Sequence, residues 1–236
     1  MKHYSYILVI GLILSACTDT EHTGTVISVL EDKTEVDFIA RPDPGTIKKG
    51  FGLDTEPWRS ATFRYRTINS LQHNGHQQLH LEGGNALMGN QLERDVLVGE
   101  FLSEIDALLE RPEQEETYRF SSIWIPLMEE IAHLQKDSLS HTLLYLYSDL
   151  QENNSDWFSV HRRADMELLQ NKPEEVMALF LERSAQIDRN WQGLKVVVVY
   201  QPQTMEQDRR FGMMRNLYEE LFGELGIAIE FESRTN

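Results

Sequence analysis

The sequence predicts an α/β fold, doubly wound about a mostly parallel sheet, with one antiparallel edge hairpin and helices on both faces. Three observations carry this. Near-continuous apolar runs (TVISVL, TLLYLY, LKVVVVY, GIAIEF) recur as strands buried on both faces. Segments of helical period lie between most of them, the alternation expected of parallel strands joined by crossovers. One pair of segments alternates apolar with polar residues on either side of Asn74-Gly75, as a hairpin does.

With 236 residues, 41% hydrophobic and 25% charged, the chain has the composition of a folded domain of ordinary size. Its beginning differs. Lys2 and His3 precede the apolar run Tyr6 to Leu14, too short for a stable bilayer span but right for a signal-peptide core. Leu14-Ser15-Ala16-Cys17 then resembles a bacterial lipobox, in which the cysteine is acylated and becomes the new N-terminus. Cys17 is the single cysteine of the chain, so no intramolecular disulfide supports the fold. Residues 1–16 are thus expected to be a signal peptide, 17–24 a lipidated tether and 25–236 the α/β domain. The polar stretch TDTEHTG after Cys17 reaches about 25 Å at full extension. A formal net charge of −16 argues against nucleic acid and against a polybasic lipid contact, so membrane attachment is expected through acyl chains.

The elements follow in order. TVISVLEDKTEVD reads as a buried strand ending in acids and a threonine, and the Pro- and Gly-rich stretch after it holds a short helix near Pro44. ATFRYRTIN and QQLHLE form the hairpin, with Asn74-Gly75 as a two-residue type I′ turn. Gln91 to Leu109 has helical spacing and stops at Arg111-Pro112. Ser121 and Ser122 open a helix reaching Leu134, because Pro126 is tolerated in a first turn. TLLYLYSD, KPEEVMALFLERSAQI, LKVVVVY, MEQDRRFGMMRNLYEELFGEL and GIAIEF complete the chain as strand, helix, strand, helix, strand. Sites in such folds lie at the carboxyl ends of strands where the winding order reverses.

This element order, with a scattered set of oxygen-bearing residues, resembles the von Willebrand factor A domain. The resemblance implies a metal-ion-dependent adhesion site. Asp32 and Thr34 fall where its first acid and first hydroxyl belong, Ser121 or Ser122 where its second-loop hydroxyl belongs, and Asp149 where the acid after the fourth strand belongs. Val36 departs from the pattern, standing where the last hydroxyl is expected. The implied ion is Mg²⁺, with Mn²⁺ as the alternative, both taking oxygen ligands. The implied partner is a protein supplying an acidic residue to the open coordination position. Each residue also has a plain reading: an Asx turn in SDLQENNSD, an N-cap at Ser122, and strand-end residues at Asp32 and Thr34.

Two other groups stand out. His73, His76 and His80 would gather on one hairpin face and could hold Zn²⁺ or Cu²⁺, but no carboxylate or cysteine completes the set at the turn. Trp157 and Phe158, just after the acid loop, are either an exposed anchor for a protein partner or the buried start of a short helix. No nucleophile elbow, phosphate loop or His-Glu-x-x-His motif occurs. The expectation is a lipid-anchored, envelope-located protein-binding module, on the outer membrane before the inner, and not an enzyme. The alternatives are a metal-dependent hydrolase using Glu31, Asp32, Glu35 and Asp37 around a water, and a metal-free envelope scaffold.

Overall fold

A computed structural model describes residues 24–34, 39–68, 76–110, 121–136, 141–184, 187–189, 191 and 193–233. Cys17, Glu35, Val36, Asp37 and His73 lie outside the described residues. Six strands form one sheet: β1 (Thr25–Asp32), β2 (Ala61–Ile68), β3 (His76–Leu81), β4 (His141–Tyr147), β5 (Leu194–Val199) and β6 (Ala228–Glu232). Their order is β3-β2-β1-β4-β5-β6; β2 and β3 pair antiparallel and every other neighbour pair is parallel. All eight residues of β1 are buried, because a central strand has neighbours on both edges and helices over both faces.

Alternation along the strands divides the interior in two. Val26 and Leu30 face one core with Leu144, Leu146, Val196 and Val198; Ile27 and Val29 face the other with Phe63, Tyr145 and Val197. Helices α1 (Pro44–Gly50) and α2 (Gln91–Leu109) cover the second core through Ile47, Phe101 and Ile105. Helices α3 (Trp124–Leu134), α4 (Arg163–Asn171), α5 (Pro173–Glu182) and α6 (Met205–Leu225) cover the first. At its centre Trp124 makes edge-on contacts with Phe180, Tyr218 and Phe222 at 5.5, 5.4 and 6.0 Å, and its indole N–H donates to the Phe180 carbonyl at 2.7 Å.

Local chemistry sets the helix ends. Asp43 accepts from Thr46 N at 2.7 Å ahead of Pro44, and Asn90 accepts from Leu92 N at 3.1 Å. Thr204 and Gln207 form a capping box on α6, and Gly226, at φ +66°, ends that helix in the left-handed conformation. Between β4 and β5 there are two helices where the sequence pattern shows one. RADMELLQN buries Leu169 alone and is polar over most of its length, so α4 carries a narrow apolar stripe on a short segment.

The hairpin register corrects another expectation. His76 pairs with Arg66, His80 with Thr62 and Leu81 with Ala61, so the residue across from His76 is Arg66, not His73; the expected turn residues Asn74 and Gly75 lie outside the described residues. Burial of Ala61, Phe63 and Leu81 on one face fixes this pairing. The opposite face is polar. His80 Nδ1 meets Thr62 Oγ1 at 2.9 Å, and His76 lines a cleft of about 350 Å³ with Arg64, Arg66, Glu129, Glu130 and His133.

Beneath that cleft Glu130 ties the hairpin to β1 and α3. Its Oε1 accepts from Arg64 Nε at 2.6 Å and Ser28 Oγ at 2.9 Å, and its Oε2 accepts from an Arg64 terminal nitrogen at 3.2 Å. Burial pushes the carboxyl up, but the Arg64 bonds and charge and the Ser28 hydroxyl outweigh it and leave it below its ordinary value. Glu130→Ala strands a buried guanidinium and is expected to cost about 3–5 kcal/mol. The check is the urea midpoint at unchanged slope; a loss no larger than that of an exposed ion pair would contradict it.

Candidate functional site at the ends of β1 and β4

From β1 the chain crosses to β2 on one side, and from β4 it crosses to β5 on the other. The carboxyl ends of β1 and β4 therefore meet at the point where the winding reverses. Glu31 pairs with Tyr147, which sets Asp32 beside Ser148. Strand alternation sends Glu31 to the other face, where it accepts from Arg41 at 3.1 Å, meets Lys33 at 3.4 Å and accepts from the Tyr65 hydroxyl. Of the four acids of the hydrolase grouping, Glu31 and Asp32 thus turn to opposite faces of the sheet, and Glu35 and Asp37 lie outside the described residues.

Asp32 is 1% exposed and gathers hydroxyls from three connections. Its Oδ1 accepts from Thr34 N at 3.0 Å and Thr34 Oγ1 at 2.7 Å; its Oδ2 accepts from Ser148 Oγ at 2.9 Å and Ser121 Oγ at 3.3 Å. Burial raises its carboxyl, and these donors restrain the rise without cancelling it. A carboxylate only accepts, so each hydroxyl spends its proton on Asp32, and its oxygen is left to accept or ligate; that of Ser148 already accepts from Leu150 N. Among the described residues Asp32 has no ion pair.

The loop after β4 is held tightly. Asp149 accepts from the backbone N–H of Gln151 at 2.9 Å and from its side-chain amide, the Asx turn anticipated for this stretch. Leu150 sits at φ +62° with a fully buried side chain, and its N–H donates to Ser148 Oγ at 3.0 Å. Asn153 N donates to the Ser121 carbonyl at 2.7 Å, tying this loop to the one before α3.

Glu152 occupies the role expected of the serines. Its Oε2 accepts from Ile123 N at 2.8 Å and Trp124 N at 3.0 Å, capping α3 from a distant loop. Ser121 is turned to Asp32. Ser122 Oγ and Glu152 Oε1 are buried without a hydrogen-bond partner among the described residues, although the hydroxyl stands near enough to favour the ionised carboxylate. The Tyr218 hydroxyl is also buried without a partner, and its phenol is pushed well up by burial and by the charges of Glu152, Asp32 and Asp149.

Of the residues expected at a metal, the structure brings Asp32, Thr34 and Ser121 together, turns Ser122 toward Glu152, and bonds Asp149 to Gln151. Ser148, Glu152 and Tyr218 were not anticipated. Among the described residues no three His, Cys, Asp or Glu side chains converge as a metal cluster. The donor set is instead hydroxyl-rich, with three hydroxyl oxygens oriented around one carboxylate, and suits a hard cation that keeps part of its water.

Phe158 corrects the exposed-anchor expectation. It is 1% exposed within the core, while Trp157 packs edge-on against Phe180 at 4.6 Å under the Arg183 guanidinium. The loop folds back on itself, with Asn154 N donating to the Phe158 carbonyl at 2.9 Å and Val160 N to the Glu152 carbonyl at 2.9 Å, and so turns the ring inward.

No family model matches the chain, and no curated protein matches it. Among solved structures, the D319A mutant of the PilB minor pilin from Streptococcus sanguinis is similar over 91% of this chain and 58% of its own, at 12% identity and a TM-score of 0.45. The human COPII-coat protein Sec24c is similar over 90% of this chain and 30% of its own, at 10% identity and a TM-score of 0.36. The chain thus spans less than two thirds of either, and at these scores neither likeness carries a conclusion.

Burial drives the Glu152 carboxyl from 4.5 to about 7; the amides of Trp124 and Ile123 and the Ser122 hydroxyl hold it back, and the Asp32 charge adds to it. The folded carboxyl takes its proton at higher pH than the unfolded one. Its stabilising contribution is therefore complete below pH 4.5 and is lost as pH rises through about 7, by roughly 3 kcal/mol in all. Glu152→Gln, unfolded in urea across this range with chelator present, is expected to show a flatter pH dependence than the parent. Equal slopes would contradict the assignment.

Proposed function

We propose that the chain is a lipid-anchored envelope protein whose α/β domain, of von Willebrand factor A type, binds a partner protein at the carboxyl ends of β1 and β4. The observation that carries this is Asp32, which draws the hydroxyls of Thr34, Ser121 and Ser148 from three connections onto one buried carboxylate. The strand order β3-β2-β1-β4-β5-β6 with an antiparallel β3 supports the family reading. The apolar run ending in Leu14-Ser15-Ala16-Cys17 supports acylation of Cys17 and attachment to a bacterial membrane, the outer before the inner.

Mg²⁺ or Mn²⁺ at this site would be held by Thr34, Ser121 and Ser148 oxygens, with Asp32 and Asp149 in direct or water-mediated contact, and would supply a positive centre for an acidic residue of the partner. Asp32 orients the hydroxyls, Glu152 holds the start of α3 against the loop after β4, and Leu150 anchors that loop in the core. A metal-free docking surface is the second reading, favoured by the four hydrogen bonds that already satisfy Asp32.

Calorimetric titration of the chain from Thr18 onward with Mg²⁺ and Mn²⁺ separates the two. The first reading predicts saturable binding that Asp32→Asn abolishes and Asp149→Ala weakens at least tenfold, a loss of about 1.4 kcal/mol or more. No heat at millimolar ion moves the function to the metal-free surface.

A further inference from the structure

At the far end of the sheet lies a surface that the site does not use. Leu87, Met88, Leu92 and Val96 are 95, 86, 77 and 59% exposed, an apolar ridge on the loop before α2 and the first turns of that helix. This ridge is rigidly built. Arg94, 4% exposed, donates to the carbonyls of Glu82 and Arg59 at 2.6 Å each and to that of Pro57, clamping the start of α2 to the loop before β2. The Trp58 ring fills the space beside Gly84 and Gly89, where a Cβ would stand 2.7 and 2.2 Å from it. So much fixed structure beneath four exposed apolar side chains points outward, to something that covers them.

Position identifies the occupant. Thr25 pairs with Ala61, Ala61 pairs with Leu81, and Thr25 N donates to the Ser60 carbonyl, so β1 starts at the same end of the sheet as this ridge. Seven residues separate Cys17 from Thr25, a span of about 25 Å at most. We infer that Leu87, Met88, Leu92 and Val96 form a foot that rests in the headgroup region of the bilayer to which Cys17 is anchored. This rests on the acylation of Cys17 proposed above. The acyl chains then set the distance and the foot sets the orientation. The eight residues of β1 hold Asp32 roughly 25 Å above it, facing away from the lipid. Glu93, Asp95 and Glu100 flank the ridge and are exposed, so the foot suits zwitterionic headgroups and is disfavoured by anionic ones.

The test uses the full acylated chain in phosphatidylethanolamine–phosphatidylcholine vesicles containing nitroxide-labelled lipid. With Cys17 acylated, an introduced cysteine is the single free thiol; a fluorophore is placed through Leu92→Cys and, at the other end, through Ser155→Cys. Quenching several-fold stronger at position 92 than at 155, reduced when phosphatidylglycerol is added, is expected. Equal quenching at both positions, or none at 92, on a chain whose Cys17 is acylated by mass spectrometry overturns the foot and leaves the anchor standing. An unacylated Cys17 overturns both. A fluorophore at 92 that is shielded in proportion to protein concentration and not quenched by lipid assigns the ridge to a second copy of the chain, and also overturns the foot.

Discussion

The placement of β1 between β2 and β4 is the constraint on which the rest of the structure depends. All eight of its residues are buried, and the chain leaves the sheet's middle in opposite directions from β1 and from β4. Into the gap between those two strand ends reaches Ser121, from the loop before α3. Asp32, the last residue of β1, is delivered into that gap by strand register alone, beside Ser148 and under Ser121. Sheet pairing, which serves stability, thus also sets the address of the site.

The site is electrostatically expensive for a protein of this charge. Asp32 and Glu152 are both buried and have no ion pair among the described residues, and the Tyr218 phenol responds to both and to Asp149. Buried carboxylates without a countercharge either hold a proton or await a cation. Hydroxyl and amide donors relieve Asp32, whereas Glu152 has one oxygen on the α3 amides and one without a partner. Leu150 adds backbone strain, since a left-handed conformation costs a residue with a Cβ about 1–2 kcal/mol. Burial of its side chain, which is 0% exposed, offsets that cost and keeps the loop after β4 in one shape.

Much of this was legible in the sequence. The apolar runs mark β1, β4 and β5 because strands of a covered parallel sheet need little alternation, whereas β6, at the sheet edge, has no buried residue; Pro44 and Pro173 mark helix starts by their missing N–H. Asp32, Thr34 and Ser121 were readable from their positions at strand and helix ends. Ser148 was not, because its role depends on the β1–β4 register, which no local pattern encodes. Glu152 caps a helix that begins 28 residues earlier, so its partners became visible only once the loops were brought together. The pairing of His76 with Arg66 was not legible, because it follows from Phe63 meeting Leu79 and Ala61 meeting Leu81 across the buried face. Phe158 follows a polar loop, and its burial is a matter of the loop folding back, not of composition.

The two ends of the sheet carry different chemistry: oxygens around a buried carboxylate at one, an apolar ridge beside the tether at the other. The central claim is that Asp32 orients hydroxyl oxygens for a cation that a partner can reach. Its most direct test is a crystal structure of the domain grown with Mn²⁺, read by anomalous difference density. The account predicts a peak within coordination distance of Thr34 Oγ1 and Ser121 Oγ, with Asp32 and Asp149 in its immediate surroundings. Well-ordered hydroxyls still bonded to Asp32, with no anomalous peak at saturating Mn²⁺, would contradict it.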